Sequence, residues 1–286
     1  MLVQGSGVGF DPCAAAVRPL PVQLTPAGNR SSSPDGRVTQ TRAAGSAALC
    51  ITGETRSFLA IQNAIGSKVI SPMKKYIGSS LIDVFLVTSS RENTSGLTEA
   101  TFQAVAKTWG TRYARLVRFD PAEAAVKRFA HMVQFLNLAW CAEAIFSTSA
   151  AYRLVGKTRT DILPLEEFEL PRLHTQQIVG CHSYPFDAFW IREFGRPFGD
   201  MCAFGGPEEM QIYFAVMRYF FDLQDHRNVT APLRGPTGTE YYLYNNLLFH
   251  GISVISSPKF TKVVLENGRP IERKGTMKEL RSIYGR

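Results

Sequence analysis

No run in this 286-residue chain approaches the roughly 20 consecutive apolar residues that a membrane-crossing helix requires. Cysteine is sparse: Cys13, Cys50, Cys141, Cys181 and Cys202 are odd in number and never spaced as C-x-x-C. That spacing argues against a disulfide framework and against a structural zinc site. Three catalytic signatures are missing, namely G-x-x-x-x-G-K-[ST], H-E-x-x-H and G-x-S-x-G. Their absence takes P-loop kinases, zinc proteases and the common serine hydrolases off the front of the list. Gly5-Ser-Gly-Val-Gly9 lacks the dinucleotide-binding spacing and follows no strand pattern.

Acidic residues are scarce at both ends. Residues 1–46 hold only Asp11 and Asp35, amid Gly, Pro, Ala, Ser and Arg, with no sustained periodicity. Such a segment buries too little apolar surface to offset its ordering entropy, so disorder is expected. Its Arg-bearing, acid-poor composition also fits an organelle-targeting segment or a mispredicted gene start. From Lys262 to the end, seven Lys or Arg stand against three Glu, which carries half of the net charge of +8. Residues 263–286 are therefore expected as a basic tail. Such a tail can contact nucleic acid or anionic membrane, but solubility and a site for phosphorylated ligands explain the charge as well. Asn29-Arg-Ser, Asn93-Thr-Ser and Asn228-Val-Thr have the glycosylation form, which matters only on a secretory route.

Between these ends, the pattern predicts one α/β domain over residues 47–262. Ala47–Thr52 reads as a buried strand, and a helix is expected from near Ser57 to just before Pro72. Leu81–Thr88, Arg112–Phe119 and Tyr152–Asp161 read as further strands, and Leu97–Trp109 as a helix closed by Gly110. Asp120, Pro121 and Glu123 form a helix start with a capping box, and Phe129, Met132, Val133, Leu136 and Trp140 follow at helical spacing. Strand–helix alternation over 47–161 predicts parallel βαβ units, a Rossmann-like half. Beyond it the alternation loosens: strands are expected at Gln177–His182, Asp187–Ile191 and within Gly199–Gly206. Helices are expected from Pro207 to about Asp222 and over Glu240–His250, with a last strand at Ile252–Ile255.

The residues with most chemical promise sit at strand ends. In Tyr152–Asp161, Lys157, Arg159 and Asp161 occupy alternate positions, so a strand would set them on one side, ending where ligands bind in open α/β sheets. Two cations and a carboxylate there suit a diphosphate, a sugar and a divalent metal. The same spacing also fits the solvated face of an edge strand. Gly53-Glu-Thr-Arg56 follows the first strand and opens a helix, where backbone N–H groups meet phosphates and Arg56 can add a bidentate contact. The alternative is a cap with Arg56 in a surface pair. Asp200 is a candidate general base or sugar-hydroxyl ligand, with a turn or cap as its plainer reading. Glu240 reads as a helix cap, His182 as a structural histidine, and Gln134 and Asn137 as solvated.

The order of these segments resembles a family of GT-A-like glycosyltransferases that includes the WavE-type lipopolysaccharide-synthesis proteins. The resemblance runs over about residues 47–262 through Gly53-Glu-Thr-Arg56, Ile82-Asp-Val-Phe85, Lys157-Thr-Arg-Thr-Asp161, Asp200-Met-Cys-Ala-Phe-Gly205 with Met210, Glu240-Tyr-Tyr-Leu243 and Gly251-Ile-Ser-Val254. It implies a GT-A-like single domain with a mixed, mostly parallel sheet flanked by helices. It also implies transfer of a sugar from a nucleotide-diphosphate donor to a hydroxyl on a glycan, lipid or protein acceptor, in glycan or polysaccharide synthesis. Under it, Gly53, Arg56 and Asp83 lie near the donor nucleotide, and Lys157, Arg159 and Asp161 meet the diphosphate. Asp161 is the implied ligand of Mn or Mg, although Arg159 stands where a paired aspartate would be. Asp200 and Glu240 fill the acidic catalytic positions. The alternatives are a non-catalytic nucleotide- or nucleic-acid-binding protein and a degenerate transferase that retains only the fold.

Overall fold

Continuous apolar runs make strands that are covered on both faces, and that is how the central sheet is built. The computed structural model describes residues 45–92, 95–121, 132–181, 201–219, 239–257, 262–266 and 269–270. In chain order, β1 (Ser46–Thr52) leads into α1 (Thr55–Ile65), and α2 (Ser71–Ile77) precedes β2 (Ile82–Ser89). Then come α3 (Glu99–Thr108), β3 (Tyr113–Phe119), α4 (Met132–Phe146), β4 (Tyr152–Arg159) and β5 (Ile162–Pro164). The second half supplies β6 (Gln177–Cys181), β7 (Ala203–Gly205), α5 (Pro207–Phe214), α6 (Thr239–Phe249), β8 (Ser253–Ser257), β9 (Lys262–Glu266) and β10 (Arg269–Pro270). The expected strand at Asp187–Ile191, His182 and the capping box at Glu123 lie outside the described residues.

Seven strands form one sheet in the order β3-β2-β1-β4-β7-β6-β8. The first four pair in parallel, as the βαβ alternation predicts. Only β7 runs against its neighbours, so the sheet is mixed and mostly parallel, with helices on both faces. A separate antiparallel set, β10-β9-β5, flanks it.

Period-two alternation divides the core between the two faces. Ala47, Leu49, Ile51, Val84, Leu86 and Leu154 pack against Phe58, Ile61, Ile65, Met73 and Phe102 from α1, α2 and α3. Ala48, Cys50, Phe85, Val87 and Val155 pack against Leu136, Cys141, Met210, Tyr213 and Leu243 from α4, α5 and α6. At Gly156 a Cβ would lie 2.5 Å from the Phe204 ring, so glycine is what lets β7 set that ring beside β4.

Two expectations are corrected here. Pro72 does not end the first helical segment, because a π turn over Gly66–Ile70 carries it on into α2. The Ser71 N–H reaches back to Gly66 O, which leaves Pro72 in the first turn of α2, where its missing N–H costs little. The cysteines also pair: Cys50 of β1 bonds Cys141 of α4 with Cα atoms 5.9 Å apart, and Cys181 bonds Cys202 across β6 and β7 at 5.2 Å. Their partners stand 91 and 21 residues apart, separations that no local spacing rule detects. Cys13 lies outside the described residues.

Candidate functional site

In a sheet ordered 3-2-1-4, the connections leave β1 and β4 in opposite directions along the sheet, and open α/β sheets hold their ligand crevice past the carboxyl ends of such a strand pair. Gly53 sits at that crevice with φ +121°, and a Cβ there would come within 2.5 Å of Thr160 Oγ1. Only glycine combines this backbone with so close an approach. Thr160 N donates to Thr52 O at 2.8 Å, which closes the two strand ends together just below the opening.

β4 brings Lys157 and Arg159 to the same place, on the face covered by α4. Lys157 is 2% exposed and stands in register with Cys50 on one side and Ala203 on the other. It is therefore not on the solvated face of an edge strand. Arg159, opposite Thr52, holds Asp161 through two parallel bonds, Nε to Oδ1 at 2.8 Å and Nη2 to Oδ2 at 2.6 Å. Both side chains are a quarter exposed, so this bidentate pair forms a rim with the buried lysine behind it.

Both carboxylate oxygens of Asp161 already accept from Arg159, and among the described residues no group of three or more His, Cys, Asp or Glu could hold a metal ion.

Arg56 is engaged in a surface pair. Its Nε donates to Glu54 Oε2 at 2.6 Å on an exposed surface, the plainer of its two readings.

Asp83 is a correction. It is the second residue of β2 and pairs with Ala48, so it lies at the amino end of the sheet, about 20 Å of strand away from Ser89. There it is 3% exposed and accepts from Arg112 Nε at 2.8 Å, from Arg112 Nη2 and from the Tyr152 hydroxyl at 2.8 Å. Burial, aided by the Asp83 bond and charge, pushes the Tyr152 hydroxyl up to about 12 against the opposing pull of Thr148 and Arg112. The Asp83 bond likewise raises Arg112. This cluster ties β2 to β3 and β4, far from the crevice.

Of the two acidic catalytic candidates, Asp200 lies outside the described residues. Glu240 is the second residue of α6, and Tyr242 two positions on packs edge-to-face against Phe135 of α4 at 5.9 Å. Phe135 is near the start of α4, which runs back toward the amino ends of the strands to enter β4. That contact sets the start of α6 at the carboxyl side of the sheet, the same side as Lys157.

A further polar corner lies beside the crevice, and Asn137 in it corrects the expectation of a solvated side chain. Asn137 is 5% exposed, one helical turn before Cys141, and its Oδ1 is buried without a hydrogen-bond partner. Ser89 Oγ at the end of β2 and Glu92 Oε2 just past it are orphaned in the same way, as is Thr160 Oγ1. Burial pushes the Glu92 carboxyl above the ordinary carboxylate range. Hydrogen bonding from the Ser89 backbone and side chain and from Asn137 opposes that rise, while the charge of Glu54 reinforces it. A polar residue on a helix that is apolar on nearly all sides was the available signal for Asn137. Glu92 carried none, because it stands in a loop.

The chain matches no family model and no curated protein, so the chemistry of the site rests on its own residues.

Proposed function

We propose that the chain is a GT-A-like glycosyltransferase that moves a sugar from a nucleotide-diphosphate donor to a hydroxyl acceptor. The observation that carries this reading is the buried Lys157 beside the Arg159–Asp161 pair at the β1–β4 crevice. A buried ammonium and a planar guanidinium at strand carboxyl ends suit an anion with several oxygens. They also suit the charge that develops on a departing diphosphate, because preorganised cations act most strongly where water is excluded.

In this reading Gly53 lets the end of β1 close against Thr160 beneath the donor, Lys157 and Arg159 meet the diphosphate, and Asp161 positions Arg159. An acid from the second half, Asp200 or Glu240, takes the proton of the acceptor hydroxyl if the reaction inverts configuration. No step is routed through a metal.

The test is release of nucleoside diphosphate from a panel of nucleotide-sugars in the presence of hydroxyl acceptors, on wild type, Asp200→Asn and Glu240→Gln. Release by wild type that falls about a hundredfold or more in one variant supports the transferase reading. Donor binding with no release from any panel member supports the degenerate transferase instead, a reading that the mutual neutralisation of Arg159 and Asp161 favours.

A further inference from the structure

The two edges of the seven-stranded sheet are finished differently. Along β3 the outward backbone groups are engaged: Leu116 N–H donates to Glu99 Oε2 at 2.9 Å, and Ala114 O accepts from Gln103 Nε2 at 3.4 Å. Arg115 and Arg118 are exposed on the same strand, and charge on an edge discourages pairing with another chain. β8 ends the other side of the sheet, and among the described residues no bond meets its outer edge. Neither charge nor proline guards it: residues 241–257 hold no Lys, Arg, Asp, Glu or Pro, in a chain of which 20% is charged. Both core faces also run out here. Val254 packs at the margin of one and Ile255 at the margin of the other, each only partly buried, whereas Ala48 and Leu49 of β1 are fully buried. Leu248 and Phe249, at the end of α6 just before β8, are 50% and 76% exposed.

The register of this edge suits its own copy. Ser253 N–H donates to Gln176 O at 2.8 Å, so Ser253, Ile255 and Ser257 turn their backbone groups toward β6. Alternation leaves the N–H and C=O of Val254 and Ser256 facing outward. An antiparallel copy of the strand, related by a two-fold axis at Ile255, sets Val254 opposite the second copy's Ser256 and Ser256 opposite its Val254. That register gives every outward donor an acceptor and brings the two Ile255 side chains together in the closer, non-hydrogen-bonded kind of pair. An uncharged edge offers a foreign chain no charge to be recognised by, whereas identical strands need only the two-fold.

We infer that β8 pairs with the β8 of a second copy of this chain, antiparallel and centred on Ile255, so that two sheets join into one. The contact uses each β8 edge once, and the guarded β3 edge stops further addition, so the assembly closes as a symmetric dimer. β6 and β7 separate this edge from β4, and the inference is independent of the chemistry proposed for the crevice.

The experiment is sedimentation equilibrium of the full chain across a concentration series, on wild type and Ser256→Pro, with oxidative crosslinking of Ile255→Cys beside it. Wild type is expected at twice its 31.7 kDa monomer mass. Ser256→Pro removes an outward donor from each copy and no bond to β6, and proline is accepted on edge strands. The fold should therefore be kept while dimer affinity falls about tenfold or more. Ile255→Cys brings two thiols within disulfide reach at the two-fold axis, and should crosslink to a dimer under mild oxidation that leaves wild type uncrosslinked. Wild type that stays monomeric throughout, or that grows past the dimer, overturns the inference. So does a Ser256→Pro variant that dimerises as wild type does. If that variant fails to fold, an Ile255→Cys chain that crosslinks no more than wild type overturns the inference by itself.

Discussion

Arg159 closes on Asp161 two residues away with both ends of its guanidinium fork engaged. In the proposed transferase, Asp161 aims the Arg159 guanidinium. Asp161→Ala is expected to weaken nucleotide-sugar binding about tenfold, and Asp161→Asn less, since an amide oxygen still accepts one of the two bonds. Titrations with and without Mn²⁺ should show the same loss. A loss confined to the Mn²⁺ series would return Asp161 to the metal role.

Glu92 links stability to pH in a checkable direction. Its carboxyl is raised in the folded chain by burial, so the folded state favours the protonated form. The stabilisation that this gives is complete below the unfolded value of 4.5 and is lost as pH rises through the folded value. At neutral pH, Glu92 is therefore a cost to the fold. Glu92→Gln should raise Tm at pH 7 and change it little at pH 4. A Glu92→Gln variant less stable at pH 7 would contradict the account.

Tyr152 gives the opposite end of the sheet its own signature. Its hydroxyl titrates near 12 when folded and near 10 when free, so its stabilising contribution is whole below pH 10 and disappears between pH 10 and 12. The Tm difference between wild type and Tyr152→Phe should therefore narrow across that window. Asp83→Asn strands Arg112 and the Tyr152 hydroxyl and should cost about 2–3 kcal/mol, discounted because Arg112 is partly exposed. Donor affinity of the folded variant, measured well below its Tm, is expected to stay at the wild-type value.

The two disulfides can be counted. Alkylation of the denatured, unreduced full chain should leave Cys50, Cys141, Cys181 and Cys202 unmodified, and modification of all four would refute the pairing. Cys50→Ala with Cys141→Ala should cost about 2–4 kcal/mol by chemical denaturation, because the bond closes a long loop. The variant should also bind donor more weakly, since Lys157 stands in register beside the lost anchor at Cys50.

Much of the framework was legible in the sequence because it rests on local patterns. Four apolar strand runs separated by helical spacing produce the parallel half, and alternate placement puts Lys157 and Arg159 on one face. What the sequence left hidden depends on contacts made at long range. Asp83 looks like any polar residue at a strand start until Arg112 and Tyr152 arrive from 29 and 69 residues away. The cysteine partners are separated in the same manner. Asn137 read as solvated because helical periodicity marks one buried face, whereas α4 is enclosed by the sheet and by α5 and α6. Arg56 and Glu54 are two residues apart, and nothing in their spacing tells a surface pair from a phosphate contact.

The central claim is that a nucleotide diphosphate binds where Lys157 is buried. Its most direct measurement is the Tm of wild type and Lys157→Met against a panel of nucleotide-sugars, each at about a hundred times its Kd for wild type. The account predicts that at least one donor raises the wild-type Tm by about 5 °C or more, and that Lys157→Met removes the shift. A panel that leaves wild type unmoved, or a donor that stabilises Lys157→Met just as well, would contradict it.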